Sequence, residues 1–183
     1  MNVGTKSVLW GVHAFWFHPI TVWLAWRELY GVPDWRETVC IFIHDLGYIG
    51  CPNMDGEEGE RHPEWAAKWA RDNLDPHEGI FMISSEYSDL CLYHSRHYAR
   101  KHDAVPSRLC WADKLSIKYD PAWFYLLRAS LSGEIKEYRK LASDVGSIPS
   151  TASNREWFAW ASERFIRMGY QGNSEGVPFQ KEV

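Results

Sequence analysis

Eight histidines lie along the 183-residue chain, at positions 13, 18, 44, 62, 77, 94, 97 and 102. One of them, His44, stands directly before Asp45 inside the apolar run "FIHDLGYIG". Two chargeable side chains in such a run are costly to bury unless something pairs with them. The other candidates are His18; His62, just after the acidic stretch "CPNMDGEEGE"; His94 and His97, three apart; and Asp113, between Trp111 and Leu115 in "RLCWADKLSI". Neutral imidazole and carboxylate together form a donor set for borderline divalent metals. The question is which of these groups the chain can bring together.

Helical signals dominate the elements that must position them. "HPITVWLAWRELYG" places Pro19 at a first helical position and Gly31 at the stop. "PDWRETVCIFIHDLG" starts with Asp34 as cap, gains a capping box from Glu37, and stops at Gly47. The short link between them makes the two helices antiparallel neighbours, so the start of the first lies beside the end of the second. His18 then meets His44 and Asp45 at one end of the hairpin. His13 competes with His18 for that place, and His18 is preferred because it begins the helix whose length suits the turn. "HPEWAAKWARDNL", "SSEYSDLCLYHSRHYARK", "PSRLCWADKLSIKY", "SGEIKEYRKLA" and "SNREWFAWASERFIRMG" read as further helices, the last capped by Ser153 or Asn154 and stopped at Gly169. His94 and His97 fall on one helix and share a face of it. Asp113 interrupts an apolar helix, where a carboxylate wants a cation. "VCIFI" could pass for a buried strand, but the capping box before it makes it helix. No segment alternates as a strand does. The expected fold is all-α, a single-domain helical bundle over residues 1–170, with the tail 171–183 aperiodic and flexible.

The ordered set His18, His44–Asp45, Asp113 resembles the H…HD…D signature of the HD-domain metal-dependent phosphohydrolase superfamily, over a region from about His13 to Tyr119. "ADKL" resembles the family's last motif. "ERHPEWAAKWA" and "LYHSRHYARK" are similar to the two further histidine-bearing segments of the HD-GYP branch, whose members bind two metals. The resemblance implies that His18, His44, Asp45 and Asp113 hold a first divalent ion. It implies that His62 and His94 hold a second, with Asp45 bridging. Iron, manganese, nickel, zinc or cobalt would suit such a site. The GYP motif itself is absent, since the chain continues "YARKHDAVPSR" after His97, which argues against a cyclic-di-GMP enzyme. The C-terminal helices, about 121–169, lie outside the metal-site core.

Two adjacent divalent ions suit the hydrolysis of a phosphomonoester or phosphodiester by activated water. The substrate would be a nucleotide or a related small molecule, with Asp45, His44, Lys114 and His97 in catalytic roles. Cations for the phosphate oxygens are offered by Arg61, Arg96 and Lys114, with Arg100 and Lys101 as solvating alternatives and His97 as a further contact. Tyr93, Tyr98 or Trp123 could stack a base. One of Glu57, Glu58 and Glu60 could orient a ligand histidine or assist proton transfer, or all three simply solvate a loop. Laid on the calcium-loop pattern, that loop puts Cys51 first and His62 twelfth, both wrong ligands, so an EF-hand is rejected. His13, His77 and His102 read as structural or solvated. Two rival functions remain open: a di-iron oxygenase built on the same ligands, and a non-catalytic binding module.

Bulk properties bound the remainder. A net charge of −4 implies no extended nucleic-acid surface. No apolar stretch is long enough to cross a bilayer, and no signal peptide is read, so the expected compartment is the reducing cytosol. Cys40, Cys91 and Cys110 sit in apolar helical patterns as small core residues. Eleven tryptophans point to a Trp-rich core.

Overall fold

The computed structural model describes residues 1–54, 57–75, 77–78, 82–83 and 85–175. The all-α expectation holds. The chain runs α1 (Val3–Trp10), α2 (His18–Tyr30), α3 (Trp35–Ile43), a 3₁₀ turn (Leu46–Tyr48), α4 (Glu57–Glu60) and α5 (Pro63–Asn73). A two-residue antiparallel pair, β1 (His77–Glu78) and β2 (Met82–Ile83), follows. Then come α6 (Glu86–Leu92), α7 (Arg96–Lys101), α8 (Arg108–Leu115) with a 3₁₀ turn at its end (Ser116–Tyr119), α9 (Ala122–Ser132), α10 (Glu134–Asp144) and α11 (Asn154–Glu175). The side chain of His77 and the loop residues Asp55 and Gly56 lie outside the described residues, as does the tail from 176 onward.

Local chemistry explains most of these boundaries. Asp34 and Glu37 form the expected capping box at the start of α3. Ser153 and Glu156 bond reciprocally, which makes Ser153 the cap of α11. Three boundaries differ from expectation. The helix α3 ends at Ile43, so His44 is its C-cap and Asp45 lies in the turn beyond. "SSEYSDLCLYHSRHYARK" is two helices, because Ser95 accepts from the backbone N–H of Tyr98 and starts α7 anew. Gly169 does not stop α11. A methyl group there would come within 2.8 Å of Leu115 Cβ, so the glycine serves the close approach of α11 to α8 and the helix continues to Glu175.

Two apolar clusters form the interior. One joins α2, α3, α5, α6 and α8 through Val22, Trp26, Ile41, Ala66, Cys91 and Leu109. The other joins α9, α10 and α11 through Tyr125, Ala129, Ile135, Trp157, Phe158 and Ala161. Ile166 of α11 packs against both. Cys40, Cys91 and Cys110 are fully buried, as expected. The Trp-rich core is not found: Trp26 and Trp157 are buried, whereas Trp35, Trp65 and Trp123 are at least half exposed or close to it (65%, 49% and 71%). Alanine and cysteine fill the centre instead, since closely approaching helices leave no room for indoles there.

A buried carboxylate ties α10 to α1 and the turn after it. Glu134, at the start of α10 and with no solvent exposure, accepts from Ser7 Oγ (2.6 Å), the backbone N–H of Val12 (3.0 Å), Tyr138 Oη (2.9 Å) and Ser132 Oγ. Burial pushes its pKa up, but the hydrogen bonds from His13, Ser132 and Ser7 win and bring it from 4.5 to about 2. A depressed carboxylate pKa stabilises the fold fully above the unfolded value, and that contribution is lost as pH falls toward 2. At 1.36 kcal/mol per unit the loss is about 3 kcal/mol. Urea unfolding at pH 6 and pH 3 should show the native chain losing about 2 kcal/mol of this, the remainder going below pH 3. The variant Glu134→Gln should start less stable and lose correspondingly less on acidification. An unchanged pH dependence in the variant would refute the assignment.

Candidate metal centre

Five elements deliver the site. His18 opens α2, His44 and Asp45 follow α3, His62 precedes α5, His94 occupies the break between α6 and α7, and Asp113 lies in α8. His18, His44, Asp45, His62 and His94 are all buried. Gly47 permits the arrangement: a methyl group at Gly47 would fall 2.0 Å from the carbonyl oxygen of His62, so only glycine lets the His44–Asp45 turn lie against the α5 entry.

Three of the histidines are oriented by one device. Nδ1 of His44 lies 2.8 Å from the carbonyl oxygen of Ile41, and Nδ1 of His62 lies 2.7 Å from that of Gly59. Nδ1 of His94 reaches the carbonyl of Cys91 in the same way. A carbonyl oxygen only accepts, so in each case Nδ1 carries the proton and Nε2 presents a lone pair. All three lone pairs converge on Asp45. Its Oδ2 lies 3.1 Å from Nε2 of His44 and 3.2 Å from Nε2 of His18. Its Oδ1 lies 3.5 Å from Nε2 of His94 and 3.7 Å from Nε2 of His62. The His62 and His94 Nε2 atoms are 3.0 Å apart. Two imidazole lone pairs facing each other across 3.0 Å, beside a carboxylate, are acceptors with nothing to accept. Nε2 of His18, Nε2 of His44 and Oδ2 of Asp45 are buried without a hydrogen-bond partner. Each buried polar atom left unmatched costs about 1–3 kcal/mol, and a cluster of this kind could hold metal ions.

The donors fall into two compact groups, His18–His44–Asp45 and Asp45–His62–His94, which share Asp45. Within each group the donor atoms lie within 4.8 Å of one another. Asp113 is outside both groups, with Oδ1 3.2 Å from Nε2 of His18 and Oδ2 2.8 Å from Nζ of Lys114. Nδ1–H anchored on a backbone carbonyl is a common way to hold a metal-ligating histidine, and the donor set fits borderline divalent ions.

Electrostatics sort the protonation states. Burial pulls the His44 and His62 imidazoles below their ordinary range, which leaves both neutral at pH 7. Burial also acts on His18, but the Asp113 and Asp45 carboxylates beside it prevail and raise it to about 9. Burial pushes the Asp45 and Asp113 carboxyls up, but the imidazoles of His44, His13 and His18 around Asp45, and Lys114 and His18 beside Asp113, hold both well below their usual values. Burial disfavours the Lys114 ammonium, yet the Asp113 carboxylate beside it raises its pKa. A metal needs the His18 lone pair, so binding at pH 7 must expel the His18 proton. Affinity should therefore rise with pH up to about 9 and level off above. Calorimetric metal titrations in two buffers of different ionisation enthalpy should report about one proton released at pH 7. No proton released would contradict the assignment.

A cavity of about 470 Å³ opens on His18 and Asp113 and is also lined by Lys114 and Arg96. His97 and Arg61 do not line it. They lie with Glu57, Glu60 and Glu64 in a separate hollow, where His97 Nε2 is 2.7 Å from Glu60 Oε2 and Arg61 makes a forked pair with Glu64. The cause is the break before α7, which buries His94 and turns His97 outward. The acidic loop does orient a ligand histidine, but through the Gly59 carbonyl on His62 and not through a glutamate. His13 bonds Ser7 and Glu134 while its ring packs edge-on against that of His18 at 5.4 Å, and His102 stacks on Tyr98 at the surface. Tyr93, Tyr98 and Trp123 contribute nothing to the cavity. Tyr125, Trp157, Trp160 and Phe165 do, together with Asp120 and Arg164. They come from helices far along the chain, and nothing in their spacing marks them.

No protein-family model, curated protein or solved structure matches the chain. Among the described residues, no helix is long and apolar enough to cross a membrane.

Proposed function

We propose that the chain is a metal-dependent phosphohydrolase that cleaves a small phosphoester and holds two divalent transition-metal ions across Asp45. The observation that carries this reading is the shared carboxylate: Asp45 turns one oxygen to His18 and His44 and the other to His62 and His94. The order of these ligands along the chain, ending in Asp113, resembles that of the HD-domain phosphohydrolases. When bound, such ions would lower the pKa of a water and neutralise charge on phosphate oxygens.

The protein's own groups supply the remainder. Oδ1 of Asp113 lies 3.2 Å from His18 and its Oδ2 pairs with Lys114, which keeps the partly exposed ammonium charged. Lys114 and Arg96 line the cavity beside Asp113, where an anionic ester would enter. Pre-placed cations at a developing negative charge are the usual source of transition-state stabilisation. The four free, buried cysteines support a reducing, cytosolic setting. Metal analysis of the purified chain, combined with a phosphatase screen over nucleotides and generic phosphoesters, tests the reading. It expects about two ions per chain and phosphate release that a chelator abolishes. Oxygen consumption without phosphate release would overturn it.

A further inference from the structure

The helix α9 is apolar on both its sides. Its inward residues Tyr125 and Ala129 join the interior cluster with α10 and α11. Its one charged residue, Arg128, is also turned inward. The guanidinium donates to the carbonyls of Gly11 (2.9 Å) and Val12 (3.0 Å), pairs with Asp120, and lies over the Phe17 and Phe124 rings. The side chains that α9 exposes are Ala122, Trp123, Leu127, Ser130 and Leu131, none of them charged. The segment beside α9 repeats the pattern. From Leu9 to Ile20 the exposed residues are Leu9, Trp10, Phe15, Trp16 and Ile20, again without a charge. The two stretches meet as one surface. Trp16 and Phe17 pack on the Phe124 ring at 6.1 and 4.9 Å, and Trp123 packs on it at 5.3 Å. Trp16 Nε1 donates to the Leu9 carbonyl (2.9 Å). A helix that is apolar all round is ordinarily a buried helix, yet this one leaves Trp123 71% and Leu131 63% exposed.

The large apolar side chains of this surface together expose roughly 800 Å², taking about 150–250 Å² for a whole aromatic side chain. Ordinary monomers carry apolar patches of about 300–600 Å², and a stable dimer takes about 800 Å² from each copy. The lack of charge decides which occupant fits. Faces that lie on a membrane carry Lys and Arg beside their apolar stripe. Transient protein contacts are as polar as the rest of a surface, whereas permanent homodimer faces are the apolar ones. We infer that this surface is the interface of a two-fold homodimer, in which α9 packs on α9 of a second copy of the chain. Trp123, Leu127 and Leu131 stand four residues apart and form one ridge of the helix. A two-fold contact pairs each residue reciprocally. An antiparallel pair of these ridges therefore sets Leu127 against its own counterpart and Trp123 against Leu131 of the partner subunit. The inference stands apart from the phosphohydrolase reading.

Sedimentation velocity on the full chain at about 10 μM should show a dimer, with a dissociation constant of about 1 μM or below. Leu127→Glu sets two like charges against each other at the two-fold axis. It should weaken association about 100-fold or more and give a monomer at the same concentration. Leu127 is half exposed and outside the interior clusters, so the variant should keep native circular dichroism. Trp35→Glu is the control: Trp35 is exposed on α3 at the end of the α2–α3 hairpin opposite His18, and the dimer should survive the change. Leu127→Cys gives a second, positive readout. The chain's own four cysteines are buried, so diamide should oxidise the two new thiols to one intermolecular disulfide. The inference is overturned if the native chain is a monomer, if Leu127→Glu is as dimeric as the native chain, if Trp35→Glu dissociates it equally, or if Leu127→Cys fails to cross-link. A monomer that floats with phosphatidylcholine–phosphatidylglycerol vesicles would overturn it in favour of a membrane face.

Discussion

Asp45→Ala should empty the site. Metal content is expected to fall from about two ions per chain to near none, and phosphatase activity by about 10³-fold or more. The size of the effect follows from the geometry. Asp45 is the one carboxylate whose two oxygens face both histidine pairs, so its removal takes a ligand and a negative charge from each ion at once. What remains around the gap is four imidazoles. A cluster of neutral donors with His18 protonated, its pKa already near 9, repels a cation instead of attracting one. Transition-state stabilisation by metal is worth several kcal/mol, and each 1.36 kcal/mol is tenfold, which sets the floor of about 10³. Circular dichroism should stay native, because α3 is started by its Asp34–Glu37 box and held by Cys40 and Ile41, well before Asp45. Asp45→Asn preserves the shape and one acceptor, and should retain at most weak metal binding. A variant with full metal content and full turnover would end the reading.

How much of this was legible beforehand differs between the site and the cavity. His18, His44, Asp45 and His62 were readable because each lies beside strong local punctuation, whereas His94 was placed by the resemblance alone. Pro19 follows His18, the α3 capping box fixes the register that ends at His44, and Pro63 follows His62. Such signals act over three or four residues and survive any tertiary context. The break between α6 and α7 was not readable in the same way. "LYHSRHYARK" has unbroken helical propensity, and the interruption rests on Ser95 capping α7 and on Ser107, which reaches back to the carbonyls of Tyr93 and Leu90. That second contact spans more than a dozen residues, so no local pattern reveals it. It is also what separates His94 from His97 and decides which histidine joins Asp45 and His62 in the buried donor group. The cavity was least legible. Its aromatic residues Tyr125, Tyr138, Trp157, Trp160 and Phe165 come from helices more than a hundred residues after His18, and a tryptophan on a helix carries no mark of whether it faces a core, solvent or a ligand. The same blindness produced the Trp-rich core that the fold does not have.

His62→Ala should halve the site without destroying it. The expected metal content falls from about two ions to about one, with the remaining ion held by His18, His44 and Asp45. His62 contributes to only one of the two donor groups, and its absence leaves Oδ2 of Asp45 and both partners of that oxygen in place. His94 then loses the lone pair that faced its own at 3.0 Å, which relieves an acceptor–acceptor contact. The variant should therefore fold at least as well as the native metal-free chain. Turnover should drop by more than the metal count suggests, because a single ion cannot stabilise both the attacking and the leaving oxygen of an in-line displacement. Parallel loss in His94→Ala, with the same stoichiometry of one, would show that the two histidines act as a pair. A His62→Ala chain that still binds two ions would break the second group apart. A His62→Ala chain that binds none would show that the centre holds a single ion spread over all the donors, and the role of Asp45 as a bridge would fall with it.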